Sequence, residues 1–284
     1  MIAGQLRPIT AAEVGVAVLL AATAGYVWRY RTGPASRSFL AFLGTLTVLA
    51  TTNALVRNLA SIGGVTGIDK YVVLIRLVAT FSGLATLVWF VFVLGYTGRD
   101  ELITWETVTV VAAPTAVFVG ARWLPAVVDL DPRLTTAVSF AAFVTTPLVL
   151  SLGLIAAFVL LRAAVVYNPL PLGLAVSLTT AGVLASLLSF TTGVSPVAAS
   201  GRELLVGGLG VVTLACWVSL GRYPTFQVLP GAGHLGRERA VQEMCDGVVV
   251  VDRAARVVEL NTAAEAAFAV DQSSVIGRPV DELL

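Results

Sequence analysis

The residues that could do chemistry in this sequence are few, and the most informative are charges within or beside long apolar runs. Five of them are candidates for a polar signal site: Glu13, Arg57, Arg76, Arg122 and Glu203. In hydrocarbon a charged side chain faces the protein interior, pairs with an opposite charge or reaches the interface. Two hypotheses follow. Either carboxylates and arginines pair to hold helices together, or the set forms a polar pocket that recognises an anionic or polar signal through arginine.

Catalytic and cofactor chemistry lacks the residues it needs. The single histidine, His234, and the only lysine, Lys70, lie outside the apolar runs. A retinal Schiff base, a haem site, a zinc protease and a serine hydrolase inside the membrane are therefore disfavoured. Residues 231–236 fit the pattern G-x-G-x-x-G, but they follow an apolar helix instead of a strand, which favours a linker. The two cysteines, Cys216 and Cys245, predict neither a disulfide nor a metal site. We expect no catalytic residue, metal or cofactor.

The elements that must position these charges are long apolar segments. Of 284 residues, 57% are hydrophobic and 12% are charged, whereas charged residues make up about 25% of soluble domains. A helix needs roughly 20 apolar residues to cross a bilayer. Seven segments qualify: Ile9 to Trp28, Ser38 to Leu59, Tyr71 to Tyr96, Thr104 to Leu124, Leu134 to Leu161, Pro171 to Phe190, and Leu204 to Gly221. The sequence predicts an all-α polytopic membrane protein with a seven-helix transmembrane bundle, in which the fourth helix contains Pro114.

Basic residues are more numerous on one side of the predicted spans. That side would hold Arg29, Arg31, Arg37, Arg99, Arg162, Arg222, Arg237 and Arg239. Because positive charge favours the cytoplasmic face, we predict a plasma-membrane protein with its amino terminus outside and its tail in the cytoplasm. The five candidate charges then lie towards the outer ends of the helices. The lipid bilayer is the expected partner, and a net charge of +1 without a basic block excludes nucleic acid.

The composition changes near residue 226. Of the last 59 residues 14 are charged, compared with 21 of the first 225. We divide the chain into a bundle, 1–225, a linker with the start of a connector helix, 226–240, and a soluble segment, 241–284. Within the last, the runs Gly247 to Asp252 and Val257 to Asn261, rich in β-branched residues, predict a hairpin with a turn at 253–256. Thr262 is the predicted cap of a helix from Ala263 to Val270, with Glu265 completing a capping box.

The soluble segment resembles the first half of a PAS domain. The resemblance is carried, in order, by Met244, Asp246, Gly247, the valine run, Asp252, Asn261, an alanine-rich helix, and Gly277-Arg278-Pro279 with Leu283. It implies an incomplete α+β PAS segment without the three strands that would close a ligand pocket.

The apolar region resembles the seven-helix amino-terminal sensor region of histidine kinases. The matching residues are Phe92, Tyr96-Thr97-Gly98-Arg99, Pro114, Arg222-Tyr223, Phe226 and Pro230. The resemblance implies a module that senses a stimulus and relays it to a cytoplasmic PAS segment and, in longer relatives, to a histidine kinase. It also implies a homodimer and a downstream kinase or response-regulator system as partners. No phosphoacceptor histidine or ATP-binding motif occurs in these residues, so kinase activity does not follow.

Six residues at the cytoplasmic interface are candidates for transmitting the signal: Tyr96, Arg99, Arg222, Tyr223, Phe226 and Pro230. Anchoring the helices at a fixed depth is the alternative role for such aromatic and basic side chains. Two other functions remain open for the whole chain. A small-molecule transporter or channel is disfavoured because the deep parts of the spans hold no Asp or Glu and no inverted repeat is evident. A truncated membrane protein without output is compatible with the sequence.

Overall fold

A computed structural model describes residues 8–30, 33, 35–58, 68–166, 170–194, 199–223, 242–252 and 254–282. Some side chains within these ranges lie outside the description: Pro8, Arg57, 68–71, Val166, 189–194, 199–202, 272 and 273. The chain divides into two compact units, Met1–Pro230 and Gly231–Leu284.

Seven long helices make up the described part of the first unit. They are α1 (Pro8–Tyr30), α2 (Ser36–Asn58), α3 (Ile68–Tyr96), α4 (Trp105–Val127), α5 (Pro132–Val166), α6 (Leu172–Val194) and α7 (Ala199–Arg222). Six of them, all but α6, are long and apolar enough to cross a membrane, which indicates a multi-pass membrane protein. The segment of α6 whose side chains the structure describes, Leu172–Leu188, is apolar but shorter than a membrane span. The fourth helix qualifies although it contains Pro114 and Pro125.

Most hydroxyl groups inside these helices are satisfied by their own backbone. The side chains of Thr45, Thr86 and Thr213, for example, donate to the carbonyl four residues earlier over 2.7–3.0 Å. This local bond removes the cost of a polar group in hydrocarbon without a second helix. Hydrogen bonds between helices are therefore informative, and two of them join α7 to its neighbours: Trp217 Nε1 to Thr23 Oγ1 at 2.8 Å, and Ser177 Oγ with Ser219 Oγ at 2.7 Å.

The centre of the bundle is aromatic. Phe39 and Phe42 of α2 form a continuous chain of ring contacts with Trp89, Phe92 and Tyr96 of α3, with centroids 5.1–6.2 Å apart. These rings are fully buried. Such contacts bury large apolar areas and add about 0.5–1.5 kcal/mol per pair, so these rings hold α2 and α3 together at the core.

Close approach of α6 to its neighbours depends on glycine. Gly182 of α6 lies against the Trp89 indole, and a Cβ at Gly182 would overlap that ring. Gly153 of α5 lies equally close to the Ser186 side chain of α6. Small residues at such positions let helix backbones approach and pack tightly in membranes. Helices α3, α5 and α6 therefore meet at two glycines where a larger side chain would displace a neighbouring side chain.

The described part of the second unit is a small α+β structure. Strands β1 (Val249–Val251) and β2 (Val257–Leu260) pair antiparallel, which confirms the predicted hairpin, and an irregularity falls between Val250 and Val251. Two short helices follow, α8 (Thr262–Phe268) and α9 (Gln272–Val275). A core of four residues holds the unit together: Val257, Leu260, Ala264 and Val275.

Asn261 is the residue that organises this unit. Its side-chain oxygen accepts hydrogen bonds from the backbone N–H groups of Val248, at 2.8 Å, and Ala264, at 2.9 Å, and its amide donates to the Asp246 carbonyl at 2.8 Å. The helix α8 therefore begins at Thr262 with Asn261 as its N-cap. The prediction that Thr262 caps this helix is wrong. A buried asparagine can satisfy the helix end and the preceding loop together, whereas a hydroxyl at position 262 lies one residue too late.

Candidate polar site at one end of the bundle

The polar candidates in α1 to α4 lie at the same end of the helical unit. Neighbouring helices run antiparallel. Contacts of Glu13 with Asn58 and of Phe39 with Phe92 join the beginning of one helix to the last part of the next. Between α3 and α4, Thr80 contacts Trp123 and Gly83 lies beside Phe118, so their residue numbers run in opposite directions. The beginnings of α1 and α3 therefore share one end with the final turns of α2 and α4. Two clusters of polar side chains occupy this end, one between α1 and α2 and the other between α3 and α4.

Glu13 is the centre of the first cluster. Its side chain is only 2% exposed, although it lies in an apolar helix. Asn58 donates to one carboxylate oxygen at 2.9 Å and Asn53 to the other at 3.4 Å, both from α2. The Thr10 hydroxyl donates to the Asn58 side-chain oxygen at 3.0 Å. Three hydrogen bonds therefore tie α1 to α2 at this end of the bundle.

Arg57 and Glu203 are two further members of the predicted polar set. Arg57 lies on α2 next to Asn58, but its side chain is outside the described residues. Glu203 lies near the beginning of α7 and is exposed. The hypothesis that carboxylates and arginines pair between helices stays a prediction.

The second cluster consists of two arginines that lie over aromatic rings. The Arg122 guanidinium carbon is 3.9 Å from the centroid of the Phe118 ring, one helical turn earlier in α4. The Arg76 guanidinium of α3 is 6.0 Å from the ring of Trp123 in α4. The Trp123 indole N–H donates to the Thr80 hydroxyl of α3 at 2.9 Å. Trp123 therefore joins the two helices and positions its ring beside Arg76.

Phe118 anchors the second cluster in the packed interior of the bundle. The ring is fully buried and packs with Ala79 of α3 and Val149 of α5. Arg122, by contrast, is half-buried, and its Nη1 donates to the Phe118 carbonyl at 3.4 Å. An arginine that lies over an aromatic face keeps the in-plane N–H groups of its guanidinium available for other acceptors. The arrangement can bind an acceptor group that approaches from the end of the bundle.

The comparisons with known proteins give no match. No family model matches this sequence, and no curated protein or solved structure matches it significantly. Among the described residues, no group of three or more His, Cys, Asp or Glu side chains is placed to hold a metal ion. The function therefore has to be argued from the arrangement of this chain's own residues.

The predicted transmission residues lie at the opposite end of the helices. Tyr96 is buried and stacks on Phe92 with centroids 5.3 Å apart, whereas Arg99 is half-buried in the turn that follows. Tyr223 is half-buried with its hydroxyl against Gly173 of α6, and Arg222 is exposed. Tyr223 thus links the end of α7 to the beginning of α6. Some predicted residues fall outside the described part of the chain: Phe226, Pro230, 231–236 and His234.

Sequence reasoning missed the partners of the charged residues. Phe118 stands four residues before Arg122, a spacing that puts two side chains on one helix face, and this signal was readable. Asn53 and Asn58 are polar amides in a mostly apolar helix, and their presence there also indicates that they have partners inside the bundle. The contact between Trp123 and Thr80 joins residues far apart in the chain. No local pattern indicates such a pair.

Removing the buried carboxylate should weaken the packing of α1 on α2. For Glu13→Ala we expect the free energy of unfolding to fall by about 1–3 kcal/mol, because the buried Asn53 amide loses an acceptor and the bond from Asn58 to α1 is also lost. The measurement is equilibrium unfolding of the full chain in mixed micelles with increasing sodium dodecyl sulfate. Glu203→Ala is the matched control, since it removes an exposed carboxylate at the beginning of α7. Equal stability of the two variants would contradict the assigned role of Glu13.

Proposed function

We propose that this chain is a membrane-embedded sensory receptor module of a two-component-type system. All seven helices cross the plasma membrane, with the amino terminus outside and the tail in the cytoplasm. The end that carries Glu13, Arg76 and Arg122 faces outward and receives the stimulus. The observation that carries this proposal is the combination of an apolar helical unit with polar side chains gathered at one end and a separate small α+β unit after its last helix.

The length of α6 supports a seventh crossing. Leu172–Val194 contains 23 residues and no charged side chain. At 1.5 Å per residue it extends about 34 Å, slightly more than a hydrocarbon core of about 30 Å. An odd number of crossings places the amino terminus and the tail on opposite sides of the membrane.

The identification of the soluble unit as the opening of a PAS domain rests on the order of its elements and residues. A β-hairpin is followed directly by short helices, and Asn261 stands at the junction. In this proposal a signal at the outer end shifts the packing of the helices. α7 then passes that shift through residues 226–239 to the soluble unit and, in longer relatives, to a kinase. A ligand can do this only by binding two packings with unequal affinity.

The two native cysteines provide a test of topology. Cys245 is exposed in the soluble unit, and Cys216 is buried in α7. In intact cells we expect a membrane-impermeant maleimide to label Cys245 only after the membrane is permeabilised. A cysteine introduced by Arg133→Cys, at the exposed beginning of α5, should be labelled without permeabilisation. The control Cys245→Ser should abolish the labelling that appears after permeabilisation. Labelling of both positions from the same side would refute the seven-crossing arrangement.

Relay and transport can be separated in proteoliposomes that contain the full chain. A receptor predicts that Arg122→Gln, at the outer end, changes the deuterium uptake of residues 242–282 at the other end of the chain. It also predicts no protein-dependent flux of small ions. A transporter predicts a protein-dependent flux. Unchanged deuterium uptake in Arg122→Gln would argue against relay from this site. Arg133→Gln removes an exposed arginine at the same end of the bundle and is the control.

A further inference from the structure

We propose that Arg76 and Arg122 form a binding site for an anionic oxygen group, a phosphate or a carboxylate, at the boundary between α3 and α4. The inference names the ligand class of the outward-facing end, and it rests on the proposed function only for the side of the membrane. Its first support is that both guanidinium groups lie over aromatic rings: the Arg122 guanidinium carbon is 3.9 Å from the Phe118 ring centroid, and that of Arg76 is 6.0 Å from the Trp123 ring centroid.

The second support is the balance of charge. Neither Arg76 nor Arg122 has a carboxylate within ion-pair distance among the described residues; their contacts there are the two rings and the Phe118 carbonyl. Each guanidinium carries five N–H donors, and the carbonyl uses one of those on Arg122. A charge in a membrane helix is ordinarily paired or directed to water. Two half-buried cations with free donor edges are therefore suited to an anion.

The third support is the shared position of the two groups. Trp123 follows Arg122 in α4 and lies beside Arg76 and Thr80 of α3. Phe118, beneath Arg122, packs against α3 at Gly83, where a Cβ would lie 3.4 Å from the ring. Both guanidinium groups therefore lie along the same boundary between the two helices, within about two turns of α3.

The depth of the site fits an anionic group at the membrane surface. Arg76 stands four residues from the beginning of the apolar span Val72–Tyr96, and Arg122 stands five residues from the end of Trp105–Val127. At 1.5 Å per residue these positions are about 6–8 Å inside the span ends. Arginine side chains reach from such a depth to the headgroup region. A lipid phosphate and a dissolved phosphate or carboxylate present the same oxygen pair to an arginine fork.

The experiment uses the full chain in nanodiscs and distinguishes the two sources of the anion. In the first arm, retention of phosphatidylglycerol and phosphatidylcholine is compared by native mass spectrometry in mixed discs. In the second arm, discs of phosphatidylcholine alone are heated with and without inorganic phosphate, and the unfolding temperature is measured. The variants are Arg76→Gln, Arg122→Gln and Arg122→Lys, with Arg133→Gln as the matched control at the same end of the bundle.

A lipid source predicts selective retention of phosphatidylglycerol that falls about ten-fold in Arg122→Gln and Arg76→Gln and is unchanged in Arg133→Gln. A dissolved source predicts a phosphate-dependent rise in unfolding temperature that the same two variants lose. Arg122→Lys keeps the charge but lacks the fork, so it should recover only part of either effect. The site is refuted if the wild-type chain shows neither effect, or if Arg133→Gln loses as much as the other variants. Because both readouts measure binding, a failure here leaves the relay tested above untouched.

Discussion

Gly182→Val is expected to disrupt the helical unit more than any other single substitution considered for it. A Cβ at this position would overlap the indole of Trp89, which is fully buried and is held by ring contacts with Phe42 and Phe92. Because the ring is fully buried and in contact with two other rings, we expect α6 to separate from α3 to make room for the added side chain. Overpacking of a core costs about 1–3 kcal/mol and occasionally more, and we expect the upper end of that range. The measurement is equilibrium unfolding in mixed micelles.

The control and the rescue for this variant come from the same chain. Gly207→Val in α7 adds the same side chain where nothing lies within 4 Å of the added Cβ, so it should leave the stability nearly unchanged. Combining Gly182→Val with Trp89→Leu should recover part of the lost stability, because a smaller side chain at position 89 makes room on the α6 side. Additive losses in the double variant would show that the two residues do not interact.

Asn261→Ala is expected to unfold the soluble unit. The side chain is fully buried and holds three segments together through its bonds to Asp246, Val248 and Ala264. Loss of these bonds leaves backbone groups unsatisfied, at about 1–3 kcal/mol for each buried group. A small unit with few core residues has little stability to lose. Deuterium exchange of residues 244–264 in the full chain should rise to the level of an unprotected segment.

Thr262→Ala separates the observed cap from the predicted one. Thr262 is exposed and lies within the first turn of α8, so its replacement should change the exchange of residues 244–264 very little. Asn261→Asp keeps an oxygen acceptor for the helix end but loses the amide donor, and an intermediate effect is expected. If Thr262→Ala were the more damaging variant, the capping role would belong to threonine after all.

The sequence predicts the helices well because hydropathy and helix formation coincide where backbone groups have no water to bind. It predicts their ends less well. The sequence predicts a fifth segment from Leu134 to Leu161, whereas α5 extends from Pro132 to Val166. Hydropathy marks only the part of a helix that tolerates lipid, and the helix itself continues until its backbone meets a breaking residue. The predicted start of the fourth segment, Thr104, is the N-cap of α4 and accepts a bond from the Thr107 N–H.

The sequence indicates the polar and charged residues of the candidate site, and the position of Phe118 on the same helix face as Arg122, but not the contacts between helices. Charges within apolar runs are visible in the sequence, but their partners depend on which helix lies alongside. Glu13 pairs with amides 40 and 45 residues away, and Trp89 of α3 lies against Gly182 of α6, with α4 and α5 between them in the chain. Distant contacts of this kind follow from packing geometry. A single sequence carries no local signal for them.

The length of α5 makes the helical unit responsive to the thickness of its bilayer. Its 35 residues extend about 52 Å. Transmembrane helices tilt by at most about 40°, and at that tilt about 26 residues are enough to cross a hydrocarbon layer of about 30 Å. About two turns are therefore left over beyond the hydrocarbon layer, and the charge of Arg133 in the first turn of α5 favours that end as the projecting one. In a thicker bilayer α5 would tilt less, and in a thinner one it would tilt more. Lipid composition would therefore change the packing of α5 against α3, α4 and α6.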